Sequence, residues 1–172
     1  MDAIDIYDKD KQPVGRITDH PKSLHPDEFR LVIHLCLFNS RGEMLIQRRL
    51  PSCAKWPGLW DFTVSGCAIA GETGRMAAMR EAREELNLSL DLSEARPALT
   101  ISFPRGFDEL FLVKADVNLD ELSLQADEVA DVRWADEREI LQLRADGRFT
   151  PMLPSYIQTV FRLKDLGDVM EG

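Results

Sequence analysis

Apolar and polar residues alternate over residues 3 to 8 and again over 14 to 18, on either side of the turn-prone Lys9-Asp10-Lys11-Gln12-Pro13, which predicts an N-terminal β-hairpin. A loop is expected from His20 to Asp27, where Pro21 and Pro26 interrupt regular structure. Glu28 to Phe38 is rich in Leu, Val, Ile and Phe and reads as a largely buried strand. Asn39-Ser40-Arg41-Gly42 then turns the chain into a second arm over Glu43 to Arg49. After a connecting loop, Leu50 to Leu59, further strands are expected over Trp60 to Ser65, Ala98 to Phe103, Glu109 to Asp116 and Val129 to Trp134. Helices are expected from Thr73 to Asn87, from Asp136 to Ala145, and from Pro151 to Leu166 with Pro154 in the opening turn. No repeat, low-complexity tract or linker divides the chain. Strands mixed with three helices predict an α/β fold with a curved mixed sheet between helices, as one domain over residues 1 to 172.

Composition changes this picture little. At 172 residues, with 44% hydrophobic and 30% charged residues, the chain can bury a core without staples. A net charge of -9 argues against nucleic-acid polymers and anionic membranes as general partners. A bound divalent ion would reverse the sign locally, so a nucleotide is still allowed. The three cysteines, Cys36, Cys53 and Cys67, have no paired spacing and are expected as reduced thiols. No basic segment followed by an apolar run opens the sequence, and no stretch approaches the roughly 18 apolar residues of a membrane span. A cytoplasmic location is expected.

The chemistry concentrates between Gly66 and Leu88. At about 100° per residue, Glu81, Glu84 and Glu85 fall on one side of the helix, with Met76, Met79, Ala82 and Leu86 on the other. Like charges three and four residues apart repel, so three converging carboxylates favour a cation between them. A hard divalent ion with oxygen ligands fits best, Mg²⁺ first and Mn²⁺ second. Arg80, one turn before Glu84, is placed to hold that carboxylate and to meet Glu72. Thr73 is a good N-cap, and Asn87 is the next-best residue after glycine for a left-handed C-terminal stop.

The same run resembles a Nudix box. That pattern is a glycine, five residues, a glutamate, seven residues, then Arg-Glu-aliphatic-x-Glu-Glu-x-Gly-aliphatic. Gly66, Glu72, Arg80, Glu81, Glu84 and Glu85 meet it, and Asn87 stands at the last glycine. The resemblance implies a Nudix-like α/β/α sandwich and a metal-dependent pyrophosphohydrolase. It implies Glu84 and Glu85 as main metal ligands, helped by the Gly66 carbonyl and by Glu81 or Glu128, with Glu81 or Glu128 as the base. Glu128 enters because it lies six residues before Trp134, where the family often places a further carboxylate; Glu109 has a weaker claim.

Gln47-Arg48-Arg49 and Trp56-Pro57-Gly58-Leu59-Trp60-Asp61 resemble the branch related to type 1 isopentenyl diphosphate isomerase, over residues 3 to 165. Arg48, Arg49 and Lys55 could counter phosphate charge there, and Trp56 or Trp60 could wall the pocket. The isomerases carry a cysteine just before the glycine matching Gly66 and a histidine just after it. Here those positions hold Ser65 and Cys67, and a second isomerase histidine is replaced by Arg30. A hydroxyl is a poorer proton donor than a thiol, and the second half of the box, which isomerases typically lose, is intact. Hydrolysis of a nucleoside diphosphate derivative or similar small diphosphate is therefore expected. An isomerase and a non-catalytic binding module are the alternatives, and a homodimer is left open. His20, His25 and His34 are read as ordinary loop and strand residues.

Overall fold

The computed structural model describes residues 2–19 and 24–165. His20, where the first expected loop begins, and Leu166, the expected end of the last helix, lie outside these residues. The N-terminal alternation forms β1 (Ile4–Tyr7) and β2 (Pro13–Thr18), an antiparallel pair in a sheet of its own. The apolar run forms β3 (Arg30–Phe38), and the Asn39–Gly42 turn leads into β4 (Met44–Arg49). Gly42 closes that turn at φ 77°, a left-handed conformation that glycine adopts without strain.

The stretch expected as one strand from Trp60 to Ser65 is two short ones, β5 (Trp60–Asp61) against β4 and β6 (Val64–Cys67) against β3. Side chains make the crossing possible. The Thr63 hydroxyl accepts from Leu37 N–H at 2.9 Å and donates to the Leu45 carbonyl, joining the two longer strands where the crossing chain leaves their ladder. Asp61 accepts from Phe62 N–H and from the Thr150 hydroxyl, each at 2.9 Å.

Helix α1 (Gly74–Leu86) follows, then β7 (Leu99–Phe103) and β8 (Gly106–Lys114). β8 begins at Gly106 rather than at Glu109, because Pro104 and Arg105 alone make the turn. A side chain at Gly106 would collide with the Arg30 carbonyl and the Phe103 ring. β8 runs parallel to β3, from Arg30 opposite Gly106 to Phe38 opposite Lys114. β9 (Val129–Ala135) pairs with β4, α2 (Glu137–Ala145) starts from a complete Asp136/Glu139 capping box, and α3 (Pro154–Leu163) starts at its proline instead of at Pro151.

The seven-stranded mixed sheet thus runs β5-β4-β3-β8-β7, with β6 joined to β3 and β9 to β4. Alternation along β3 feeds two cores. Leu31, Ile33, Leu35 and Leu37 meet Ala77, Ala78, Ala82 and Leu86 of α1 on one face. Cys36 and Phe38 meet Ile140, Leu143, Ile157, Val160 and Phe161 of α2 and α3 on the other. No helix among the described residues is long and apolar enough to cross a membrane.

Candidate active site

Three local features fix α1 in place. The Thr73 hydroxyl accepts from Met76 N–H at 3.4 Å at its start. Asn87 ends it at φ 54°, its N–H pointing back to the Ala82 and Arg83 carbonyls. Small residues, Gly74, Ala77, Ala78 and Ala82, let it lie close on the sheet. The buried stripe differs from the expected one: Met76 is exposed and Glu85 is buried, because the alanines, rather than the methionines, face the sheet. Glu81 and Glu85 therefore lie at the seam between helix and sheet, and only Glu84 stands well out in solvent.

Arg80 organises the loop and the helix together. Its Nε and Nη2 donate to the two oxygens of Glu72 at 2.8 and 3.1 Å, its Nη2 also donates to the Cys67 carbonyl at 3.0 Å, and its Nη1 donates to Glu84 at 3.0 Å. Glu81 Oε1 is 3.0 Å from the same Nη1. Glu72 in turn accepts from Ile69 N–H at 3.0 Å, so the turn after β6 is tied to the helix at both ends. Gly66 has its own reason: the Glu81 carboxylate occupies the space a side chain would take there. The backbone of β6 and the first acidic residue of the helix are in direct contact for that reason.

The carboxylates are held against their electrostatic preference. Burial, with the nearby charges of Glu84 and Glu128, outweighs Arg80 and pushes the Glu81 carboxyl up to about 7. Glu85 is 2% exposed, and burial together with Glu81 and Glu128 raises it well above the ordinary carboxylate range against the opposing effect of Gln47. Its Oε2 accepts from Gln47 Nε2 at 2.7 Å. Glu128, exposed in the turn before β9, is thus within electrostatic reach of both, although β7 and β8 separate it from them in sequence. Four mutually repelling, all-oxygen donors beside a free edge of backbone suit a hard divalent cation. Among the described residues no three of them already converge at ligand distance: Glu84 is drawn to Arg80 and Glu85 to Gln47.

The other expected residues divide. Arg49 donates from Nε to the Lys55 carbonyl at 2.9 Å, and its charge reaches Glu85. Arg48, next along β4 where its pairing with β9 is irregular, donates to the Gly58 carbonyl of the same loop at 3.1 Å. Lys55 sits with its ammonium 3.9 Å from the centre of the Trp56 ring. Trp60 is 6% exposed, built into the α2/α3 core with Arg133 over its ring at 5.1 Å, and so supports the site from behind instead of lining it. Glu109 is buried, but it pairs with Lys11 of the hairpin turn and lies against Gly74. It borders a cavity of about 610 Å³ beside the N-terminal hairpin that Tyr7, Arg75, Arg96 and also Glu72 line.

Three features escape the sequence reading. Gln47 stands in the sequence only as part of a motif, yet it holds Glu85. His34 is no ordinary strand residue: its Nδ1 meets both Asp108 oxygens at 2.9 and 2.8 Å, and it is 8% exposed. Burial lowers its pKa, but the Asp108 hydrogen bond and charge outweigh this and leave it raised. Arg30 lies over Phe103, 5.9 Å from the ring centre, with its Nε buried and unbonded. The parallel register of β3 and β8 creates the His34–Asp108 pair, and no local pattern carries that register.

Comparisons with known proteins agree with this fold. The family model of the NUDIX domain matches residues 28–156. An uncharacterised Nudix hydrolase of Listeria monocytogenes is 38% identical over 165 residues, covering 96% of each chain. An isopentenyl-diphosphate Delta-isomerase of Klebsiella pneumoniae is 30% identical over 145 residues, covering 81% of this chain and 79% of that protein. A crystal structure of a protein from Deinococcus radiodurans superposes with a TM-score of 0.76 at 26% identity, over 94% of this chain and 100% of the other.

Proposed function

The chain belongs to the Nudix family of hydrolases, and from that premise we propose that it is a divalent-metal-dependent pyrophosphohydrolase acting on a nucleoside diphosphate derivative or a similar small diphosphate. The observation that carries the reading is the Arg80 brace, which joins Glu72, the Cys67 carbonyl and Glu84 while Glu81, Glu85 and Glu128 crowd beside it. Glutamates held this close without enough positive charge are a burden on the fold unless a cation sits among them.

Mg²⁺, or Mn²⁺ in its place, would supply charge to the phosphoryl oxygens and lower the pKa of the attacking water. Glu84, Glu85 and the Gly66 carbonyl would hold the ion, with Glu81 or Glu128 completing the set. Whichever of Glu81 and Glu128 stays free of the ion takes the proton from water. Arg80 orients Glu84 and the turn without touching the substrate, and Arg49 and Lys55 offset phosphate charge. An isomerase reading needs an acid and a metal ligand at positions 65 and 67. Ser65 lacks the acidity, and burial pushes the Cys67 thiol up, away from the thiolate a metal would need.

The test is release of phosphate or pyrophosphate from a panel of nucleoside diphosphates, triphosphates, nucleotide conjugates and non-nucleotide diphosphates. Activity should vanish in EDTA, and Glu84→Gln with Glu85→Gln should lower it by roughly a hundredfold or more. Full activity in either case sinks the reading. Glu81→Gln and Glu128→Gln then separate the roles: loss of the base depresses turnover at unchanged metal affinity, whereas loss of a ligand weakens the metal.

A further inference from the structure

The N-terminal hairpin is tied down on two sides of the cavity it borders. Tyr7 exchanges backbone hydrogen bonds with Phe29, just before β3, at 2.8 and 2.9 Å. On the other side the Ala70 N–H donates to the Ala3 carbonyl at 2.8 Å and the Gly71 N–H to Asp5 at 2.7 Å, which joins β1 to the turn before α1. Lys11 fastens the hairpin turn. It holds a left-handed backbone, φ 59°, which a lysine adopts only under strain, and its ammonium pairs with Glu109. The Glu109 carboxylate in turn fills the space a side chain at Gly74 would take. A gap of about 610 Å³ fastened in this way is preformed, and its size suits a small organic molecule.

Its walls are apolar and its charges unbalanced. Tyr7, Leu31, Phe111 and Pro97 supply hydrocarbon surface, and burial with the charges of Asp5 and Glu109 pushes the Tyr7 phenol up, so it stays neutral. Three acids line the gap, but Glu72 is cancelled by Arg80 and Glu109 by Lys11, which leaves Asp5. Against it stand Arg75 and Arg96, with which no carboxylate pairs among the described residues. The Arg75 Nη1 donates to the Ser93 carbonyl at 2.5 Å, which draws the loop carrying Arg96 to the start of α1. Two guanidiniums less one carboxylate leave a net positive charge beside an apolar wall. Glu72 lies on that wall, whereas Glu81, Glu84, Glu85 and Glu128 do not line it.

We propose that this cavity is a second ligand site, which binds a small aromatic carboxylate with its rings against Tyr7, Phe111 and Pro97 and its carboxylate on Arg75 and Arg96. A guanidinium presents a planar fork that matches a carboxylate, and one negative charge balances the excess that the lining leaves. The rings take the apolar wall, where a hydrated inorganic anion would gain nothing. Nothing in this site uses the metal, so it holds whatever bond the chain cuts.

2-Naphthoate and its uncharged counterpart 2-naphthamide are titrated calorimetrically into the full chain, with magnesium present and again in EDTA. The parent protein should bind naphthoate with a Kd of about 1 mM or tighter, as a ligand of that size allows, and equally well in both buffers. The amide should bind roughly tenfold more weakly or worse. Arg75→Gln and Arg96→Gln should each weaken naphthoate by roughly tenfold and leave the amide unchanged. Arg96 is exposed, so its variant decides the matter even if Arg75→Gln loses the Ser93 bond and native melting. No binding by the parent, equal affinity for acid and amide, or parent-like affinity in Arg96→Gln overturns the proposal. Loss of naphthoate binding in EDTA overturns it too, because the carboxylate would then be seated on the metal.

Discussion

Arg80 and Arg30 flank the same short strand and have opposite surroundings. Arg80 bonds two glutamates and a backbone carbonyl, and it lies within 3.0 Å of a third glutamate. Those partners outweigh burial and hold its proton more tightly than usual. Arg30 has an aromatic ring beneath it and an unbonded Nε. A guanidinium whose donors are all spoken for can only position what it holds. One whose donors are open, in a place where water is scarce, is suited to a ligand that arrives later. The same residue type thus serves as a brace on one side of β6 and is left without a bonded acid on the other.

The comparison breaks most readily at the brace. Arg80→Ala should cut turnover by roughly tenfold to a hundredfold, because Glu84 and the turn lose their orientation. It should also cost about 3 kcal/mol of stability in urea titration, since Glu72, only 11% exposed, loses its ion pair and keeps just the Ile69 N–H. Arg83→Ala, exposed on the next turn, should be nearly silent in both measurements. If Arg83→Ala is the more damaging, the roles given to the face of α1 are wrong.

A smaller effect sharpens the contrast. Removing Arg30 orphans no acid, so Arg30→Gln should change unfolding free energy by about 1 kcal/mol or less. A loss as large as that of Arg80→Ala would make Arg30 a structural arginine and end the distinction.

The smallest effect concerns His34, behind Arg30 on the same face. Its folded pKa is raised above 6.5, so its ion pair with Asp108 contributes fully below that pH and is lost as pH rises through the folded value. The stability gap between the parent and His34→Gln should therefore narrow on going from acid to alkaline buffer, as followed by melting temperature. A gap that widens with pH would mean that His34 is neutral in the folded protein.

The sequence by itself determined the parts whose causes are local. The N-cap at Thr73, the stop at Asn87, the register of Glu81, Glu84 and Glu85, and the reach of Arg80 to Glu84 all follow from helix geometry within a few residues. The wider spacing from Gly66 to Glu72 to Arg80 was legible as a family pattern, and most strands could be placed by alternation alone. What remained hidden depends on which strands become neighbours. The crossing from β5 to β6, the hydrogen bond from Gln47 to Glu85 and the pair of His34 with Asp108 depend on contacts between residues far apart in the chain. In the sequence, Trp56 or Trp60 beside arginines fits a pocket wall as well as a core, and only the packing of α2 and α3 puts Trp60 in the core. Local geometry is written in the order of residues, whereas sheet register and long-range electrostatics are set by the burial of whole faces at once, which no short stretch of sequence encodes.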